Sequence, residues 1–326
     1  MLMSETPILS AVELHKIFKV SSQTYSTAVL TALDQVSLQL SAGETLGIAG
    51  ESGCGKSTLA KIMAGLLEPN QGSVLYKGME LSQLGQSERT LFRRKTQMIF
   101  QDPFSSLNPR MRIGDSIAEP LKIVGASAPQ QREELARIMA AVGLQSDAAN
   151  RFPDEFSGGQ RQRIGIARAL AAHPEILIAD EPVSSLDISI QAQIINILML
   201  MKVDFALSMM IVSHNLLILR HICDRIIIMY LGAIVECGPA SMIFQRCRHP
   251  YTEALIAAIP GLHTKAAPKR ELLRDDLPTA LSIPSGCRFH PRCRHAVDLC
   301  RHEVPRTVEY ASGHSAACHL SNHLYA

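Results

Sequence analysis

Several features that would settle the class of a protein early are missing from this chain of 326 residues. There is no long hydrophobic run. The longest apolar stretches, residues 226–235 and 194–201, fall short of the roughly 18 uncharged residues a bilayer span requires, and Lys202 and Asp204 close the second. No leader is expected either, since residues 1–10 carry neither a basic region nor an apolar core. A chain with neither feature is expected to be soluble by itself and to meet a membrane only through a partner. Charge of one sign is lacking too: 32 Lys and Arg stand against 30 Asp and Glu, a net +2. A nucleic-acid binder would carry a dominant basic surface, so that class is set aside. No internal period of the kind that builds solenoids or propellers is present. The hydrophobic share of 47% and charged share of 19% exclude a disordered chain. What is left is a globular protein with one large α/β domain and an appendage, or two domains.

The patterning supplies the elements. Leu9-Ser-Ala-Val-Glu-Leu-His15 and Val36-Ser-Leu-Gln-Leu40 alternate apolar and polar residues, which predicts half-exposed antiparallel strands with residues 21–27 as their loop. Thr45-Leu-Gly-Ile-Ala49 reads as a buried central strand, and residues 57–67 as a helix that stops before Pro69. Residues 88–150 look like an all-helical insertion, with a helix over 130–142. Buried strands are expected at 176–179 and 209–212, then a terminal hairpin from 225–230 and 233–237. Helix alternating with strand implies a sheet with a parallel centre. Beyond about Pro260 the texture changes to a charged, proline-bearing linker at 264–286, followed by a cysteine-rich tail.

Chemistry enters at Gly50-Glu-Ser52-Gly53-Cys54-Gly55-Lys56-Ser57-Thr58, which fits G-x-x-x-x-G-K-[ST] without a mismatch between a strand and a helix. Glycines let backbone N–H groups wrap around phosphate oxygens, and the helix start adds its dipole. Lys56 is expected to neutralise the β/γ-phosphates and the Ser57 hydroxyl to ligate Mg²⁺. Asp180 and Glu181 end an apolar strand. Asp180 is expected to hold the Mg²⁺ hydration shell and Glu181 to act as general base on the attacking water. A third element, Phe156-Ser157-Gly158-Gly159-Gln160 before a helix, forms a second anion-binding helix start.

That last motif resembles the Leu-Ser-Gly-Gly-Gln signature of ABC ATPases, with Phe156 in the first place, and other landmarks of that family follow in order. Gln101 ends a strand expected at 97–100 and resembles the glutamine that senses Mg²⁺ and the attacking water. Ser184-Ser-Leu-Asp187 resembles the loop that crosses the ATPase dimer, and His214 the switch histidine on the γ-phosphate. Asn215 stands where the family usually has Asp. Phe18 resembles the aromatic residue that stacks on adenine, with a core role and nearby Tyr25 as alternatives. The resemblance implies a P-loop ABC ATPase fold, with a RecA-like core, an antiparallel β subdomain and a helical subdomain at about 88–172, over residues 1–260. It also implies ATP sandwiched in a head-to-tail dimer. An intervening coiled coil, as in repair ATPases of the family, is absent from the roughly 100 residues between Lys56 and Ser157, which show no sustained heptads.

Two further segments resemble the importers of dipeptides, oligopeptides and nickel: Gln101-Asp-Pro-Phe-Ser-Ser-Leu-Asn-Pro-Arg110, and Arg248-His-Pro-Tyr-Thr-Glu-Ala-Leu255 with Cys287-Arg-Phe-His-Pro-Arg-Cys293. The nearest likeness is to the dipeptide-importer ATPase that pairs with a second related ATPase. The partners implied are that second ATPase, two transmembrane permease subunits and an extracytoplasmic solute-binding protein, at the cytoplasmic side of the inner membrane. Nickel, glutathione or an antimicrobial peptide are alternative cargoes. Four of the eight cysteines, Cys287, Cys293, Cys300 and Cys318, crowd the tail at residues 261–326, a polar region too short to bury a core of its own. A 4Fe–4S cluster is expected there, with Zn²⁺ or unligated thiols as the alternatives, and His290, His295 and His319 as bystanders sooner than substitute ligands.

Overall fold

The computed structural model describes residues 6–20, 28–102, 107–184, 186–259 and 281–325. Its strands are β1 (Leu9–Val20), β2 (Ala28–Leu40), β3 (Thr45–Ala49), β4 (Gln71–Tyr76), β5 (Met79–Glu80), β6 (Thr96–Ile99), β7 (Ile176–Asp180), β8 (Ser208–Val212), β9 (Arg225–Tyr230), β10 (Ala233–Pro239), β11 (Val308–Ala311) and β12 (His314–Ala316). The longer helices are α1 (Lys56–Met63), α2 (Gln86–Lys95), α3 (Ile113–Ile123), α4 (Ala128–Ala141), α5 (Gly158–Leu170) and α6 (Ile188–Asp204). Shorter ones follow: α7 (Leu216–Ile222), α8 (Ala240–Gln245), α9 (Pro250–Ala257), α10 (Asp298–His302) and α11 (Ser321–Leu324). The chain divides into two compact units. The first comprises Met1–Ile8, Leu40–Thr45 and Tyr76–Val212, and the second Leu9–Gln39, Leu46–Leu75 and Ser213–Ala326.

In the first unit β8, β7 and β6 lie side by side and parallel, with Thr96 opposite Ile176 and Asp180 opposite Val212. β7 and β8 are buried along their whole length, as strands covered on both faces must be. Parallel neighbours need crossovers, which α6 provides between β7 and β8, and the α3–α5 group between β6 and β7. That group closes on an apolar seam of Ile113, Ile117, Leu121, Ile138, Ile164 and Ile166, all buried. Arg168 of α5 also reaches Glu119 of α3 at 2.6 Å. The strand expected at 97–100, just before Gln101, is β6, one residue earlier; it interrupts the stretch otherwise read as helical and pairs parallel with β7.

The second unit holds β3 beside β9, parallel, with Leu46 opposite Arg225 and Ala49 opposite Ile228. β10 then returns antiparallel to β9. A separate sheet runs β2, β1, β4. The 225–239 hairpin is not terminal. β12 pairs antiparallel to β10, Glu236 opposite Ala316, and β11 pairs to β12. Helix α1 ends at Met63 rather than near Leu67, because Gly65 N–H turns back to Ile62 O and Leu66 N–H to Lys61 O. The break precedes Pro69.

The tail is folded onto the second unit. Phe289 is buried between Tyr230, Tyr251 and His249, with ring centroids 5.3, 5.4 and 5.8 Å away. One buried phenylalanine contributes about 2 kcal/mol. Together with the β12–β10 ladder it gives the tail the apolar burial and hydrogen bonding that its own composition lacks.

Candidate nucleotide site

In the second unit β3 ends at Ala49 and the chain turns through residues 50–55 into α1. Gly55 is the N-cap, at φ +104°, and a Cβ there would stand 2.2 Å from the Ala32 carbonyl oxygen. Only glycine fits, and no side chain closes the helix start. Lys56 is buried and its ammonium donates to the carbonyls of Gly50 and Glu51, both at 2.8 Å. Cys54 lies under the loop with Sγ 3.8 Å from that ammonium. Burial pushes the Cys54 thiol up against the opposing pull of Lys56, so it stays protonated. Ser52 and Gly53 are exposed, and Ser57 and Thr58 half-buried.

Beside the same strand, Ser213 N–H donates to Ile48 O at 3.1 Å, laying the chain before His214 along β3. His214 is exposed. Asn215, the departure from the family pattern, caps α7: its Oδ1 accepts the Leu217 N–H at 3.0 Å. A neutral amide does that as well as a carboxylate. Phe18, on β1, is 37% exposed with the Lys16 ammonium 5.4 Å from its ring centre. It is therefore not a core residue. Tyr25 lies outside the described residues.

In the first unit the carboxyl ends of the parallel strands gather the acidic pair and the glutamine, the edge where sheets of this kind hold ligands. Asp180 is buried at the end of β7. Glu181 follows at φ +47°, a left-handed conformation that a residue with a Cβ adopts at a cost of roughly 1 kcal/mol. Its N–H is tied to Val212 O at 2.9 Å, and Gln101 Nε2 donates to its Oε2 at 3.2 Å. Strain held in place by the neighbouring strand aims this carboxylate.

The signature helix α5 also belongs to the first unit. Ser157 caps it, with Oγ accepting from Gln160 N–H at 3.4 Å and Gln160 Oε1 accepting from Ser157 N–H at 3.0 Å. Phe156 is buried beneath the Arg151 guanidinium, 4.6 Å from its ring. The larger aromatic is thus accommodated where leucine is usual. Buried Arg161 fastens the helix to the turn before it, donating to Pro153 O at 2.6 Å and Asp154 O at 3.2 Å. A Cβ on Gly159 would meet Ile190 Cγ2 of α6 at 2.5 Å, so this glycine sets how closely the two helices pack. Gly158 is half-buried with ordinary room around it. Ser185, in the segment read as the dimer-crossing loop, and residues 103–106, in the glutamine-loop extension, lie outside the described residues.

In the first unit the oxygen donors of Gln101 and Asp180 are of the hard kind that suits Mg²⁺, as is the Ser57 hydroxyl in the second, where the glycine-lined turn around Lys56 suits a phosphate chain. The four tail cysteines fit their expected cluster less well. They are near enough that the charges of Cys300, Cys318 and Cys293 add to burial in raising Cys287 to about 11. Yet among the described residues no group of three or more His, Cys, Asp or Glu is arranged to hold a metal ion, and no disulfide joins any of the eight cysteines. The reasoning from a missing core fails because Phe289 and β12 anchor the tail instead.

One network has no counterpart in the motifs. Glu51 accepts Arg292 Nη1 at 2.8 Å and Nη2 at 3.1 Å, and its N–H donates to the Tyr251 hydroxyl at 2.9 Å. Arg288, a turn earlier, holds Asp34 and the Leu231 carbonyl. The run Cys287–Cys293 marks a subgroup in the sequence; that its two arginines point back at the second unit's core shows only in three dimensions.

Residues 33–184 match the ABC transporter family, and residues 235–300 match the oligopeptide/dipeptide transporter C-terminal region. The oligopeptide transport ATP-binding protein AppF of Bacillus subtilis is 43% identical over 97% of this chain and 98% of its own. This chain belongs to the ABC transporter ATPases. Within that family it carries the oligopeptide/dipeptide C-terminal region. The di/tripeptide transport ATP-binding protein DppF of Pseudomonas aeruginosa is likewise 43% identical, over 96% of this chain and 97% of its own. Among solved structures, an ATP-binding cassette in a dimeric post-hydrolysis state bound to ADP and phosphate superposes with a TM-score of 0.64, at 28% identity. It covers 71% of this chain and 98% of its own. As an ABC transporter ATPase the chain binds and hydrolyses ATP, and no described helix is long and apolar enough to cross a membrane.

Proposed function

We propose that this ATPase powers peptide uptake, as a peripheral subunit on the cytoplasmic side of the inner membrane. Similarity to peptide-transport ATPases along nearly the whole chain supports the cargo class. The geometry that carries the chemistry is the Gln101–Glu181 pair at the strand ends. Glu181 takes the proton of the attacking water and Gln101 keeps its carboxylate aimed. Lys56 and the amides of residues 50–58 hold the β/γ-phosphates, and His214 meets the γ-phosphate. Mg²⁺, when bound, neutralises charge on the phosphate oxygens and is held by Ser57, Asp180 and Gln101.

Ser157, Gly158, Gly159 and Gln160 serve the nucleotide of a second, related ATPase in a head-to-tail heterodimer, and Phe18 stacks on the adenine. Closure of that dimer on ATP draws the two permease subunits together, with an extracytoplasmic solute-binding protein delivering the peptide. Residues 1–260 form the ATPase domain, with the helical subdomain at about 88–172, and 261–326 the extension. The tail cysteines enter this reading as thiols; stoichiometric iron in anaerobically purified protein would restore the cluster. Glu181→Gln tests the core of the proposal: ATP binding is retained while turnover falls at least about a hundredfold. Unchanged turnover at the only competent site would sink it. Copurification with the tagged chain then identifies the permease and binding protein, and a nickel- or glutathione-specific binding protein would redirect the cargo.

A further inference from the structure

Glu51 is the only carboxylate between Gly50 and Thr58, and it stands beside the lysine expected to receive a polyanion. Left unpaired, that carboxylate would repel a triphosphate. It would also compete for the Lys56 ammonium, which already lies 2.8 Å from the Glu51 carbonyl oxygen. Neither happens, because the tail supplies a planar fork that takes both carboxylate oxygens, at 2.8 and 3.1 Å. The Arg292 side chain is 5% exposed, its Nη1 is also 3.4 Å from the Tyr230 hydroxyl, and its Nε is buried without a hydrogen-bond partner. An arginine sunk this far with one donor unsatisfied is expensive to place. Its placement is enforced from both sides: Phe289 is locked into the aromatic cluster, and Arg288 holds Asp34 and Leu231 O. Meanwhile Tyr251 takes the Glu51 N–H, so the residue is held at backbone and side chain together.

We propose that Arg292 is a positioning residue for nucleotide: the cysteine-rich tail reaches into the phosphate loop, neutralises Glu51, and so sets the affinity for ATP. The inference rests on the reading of residues 50–58 as the ATP site. Arginine is the right residue for the task, since a lysine would cancel the charge but could not take both oxygens at once.

The test uses the full-length chain, with steady-state ATPase kinetics and equilibrium binding of a fluorescent ATP analogue. Arg292→Gln is expected to raise KM and Kd about tenfold, with kcat changing by less than about twofold. Arg292→Lys should fall between the two. In the double variant Glu51→Gln/Arg292→Gln the charge to be cancelled is gone, so affinity should return to within about twofold of the original. An unchanged KM in Arg292→Gln would overturn the proposal. So would a double variant as weak as the single one, which is what a merely structural tie would give. Should Arg292→Gln fail to fold, Glu51→Gln alone decides: it is expected to bind ATP at least as tightly as the original chain, and weaker binding overturns the idea. Lys56→Ala is the control on the underlying reading. If that change leaves nucleotide binding intact, the loop is not the ATP site, and the failure lies there and not with Arg292.

Discussion

Helices α1 and α5 both present their first turns to anions, and they are built in opposite ways. α1 starts from a left-handed glycine with nothing over its end, and its charge comes from Lys56 folded back onto the loop carbonyls. α5 starts from Ser157, which closes a reciprocal box with Gln160 and carries no acidic residue in its first turn. The first start leaves its amides for a ligand and depends on a neighbouring cation. The second ties two of its N–H groups, those of Ser157 and Gln160, to its own side chains, which orders the turn before a phosphate arrives. Under the proposed function, a site that holds nucleotide and a surface that waits for a partner's nucleotide call for these two solutions respectively.

Substitutions can break that contrast, and the largest effect belongs to α1. Lys56→Ala should weaken ATP-analogue binding at least about a hundredfold, because a buried charge-assisted contact is lost. If binding survives, the two helix starts are not specialised as described. A third helix start gives the next largest effect. Buried His249 caps α9, its Nδ1 accepting the Tyr251 N–H at 3.0 Å, and burial pushes its pKa down from 6.5 to about 3. The folded state therefore keeps this imidazole neutral while the unfolded chain takes up a proton. Its contribution is complete above pH 6.5 and is lost as pH falls toward 3, by up to about 1.4 kcal/mol per pH unit. His249→Asn retains a capping acceptor without the titration, so urea midpoints measured from pH 7 to pH 5 should decline less steeply than in the original chain.

Gly159→Ala sharpens the comparison at α5. The added methyl meets Ile190, so turnover should drop about tenfold while analogue affinity for the loop stays the same. Parallel loss of both would mean that the two starts act as one. The smallest effect is structural: Ser157→Ala removes the cap hydroxyl and should lower stability by about 1 kcal/mol, read as a shift in thermal midpoint.

Much of this was legible in the chain. β3, β7, β8 and the β9–β10 hairpin are apolar runs whose burial is implied by composition, and the phosphate loop, acidic pair and signature are contiguous motifs. The legible parts are local. β6 was legible only through its place just before Gln101, because four residues next to α2 have no period of their own. The end of α1 followed a glycine turn and not the more conspicuous proline. The Glu51–Arg292 pair joins residues 241 positions apart, and nothing at either position distinguishes it from an ordinary surface charge. The cluster expected at the cysteines came from asking what could stabilise a polar tail, and the answer lay in Phe289 and in a strand partner, neither of which the spacing of thiols reveals.

That strand partner has a consequence for how the chain is made. β12 leaves the ribosome well after β10, the strand it pairs with. Until β12 emerges, the outer edge of β10 is an open row of backbone donors and acceptors, a template for any passing strand. Once β12 and the short, largely exposed β11 dock, that template is closed. A message truncated after residue 260 would therefore yield chains with a sticky rim, and loss of the β11–β12 segment should show first in the insoluble fraction of the cell rather than in any enzymatic assay.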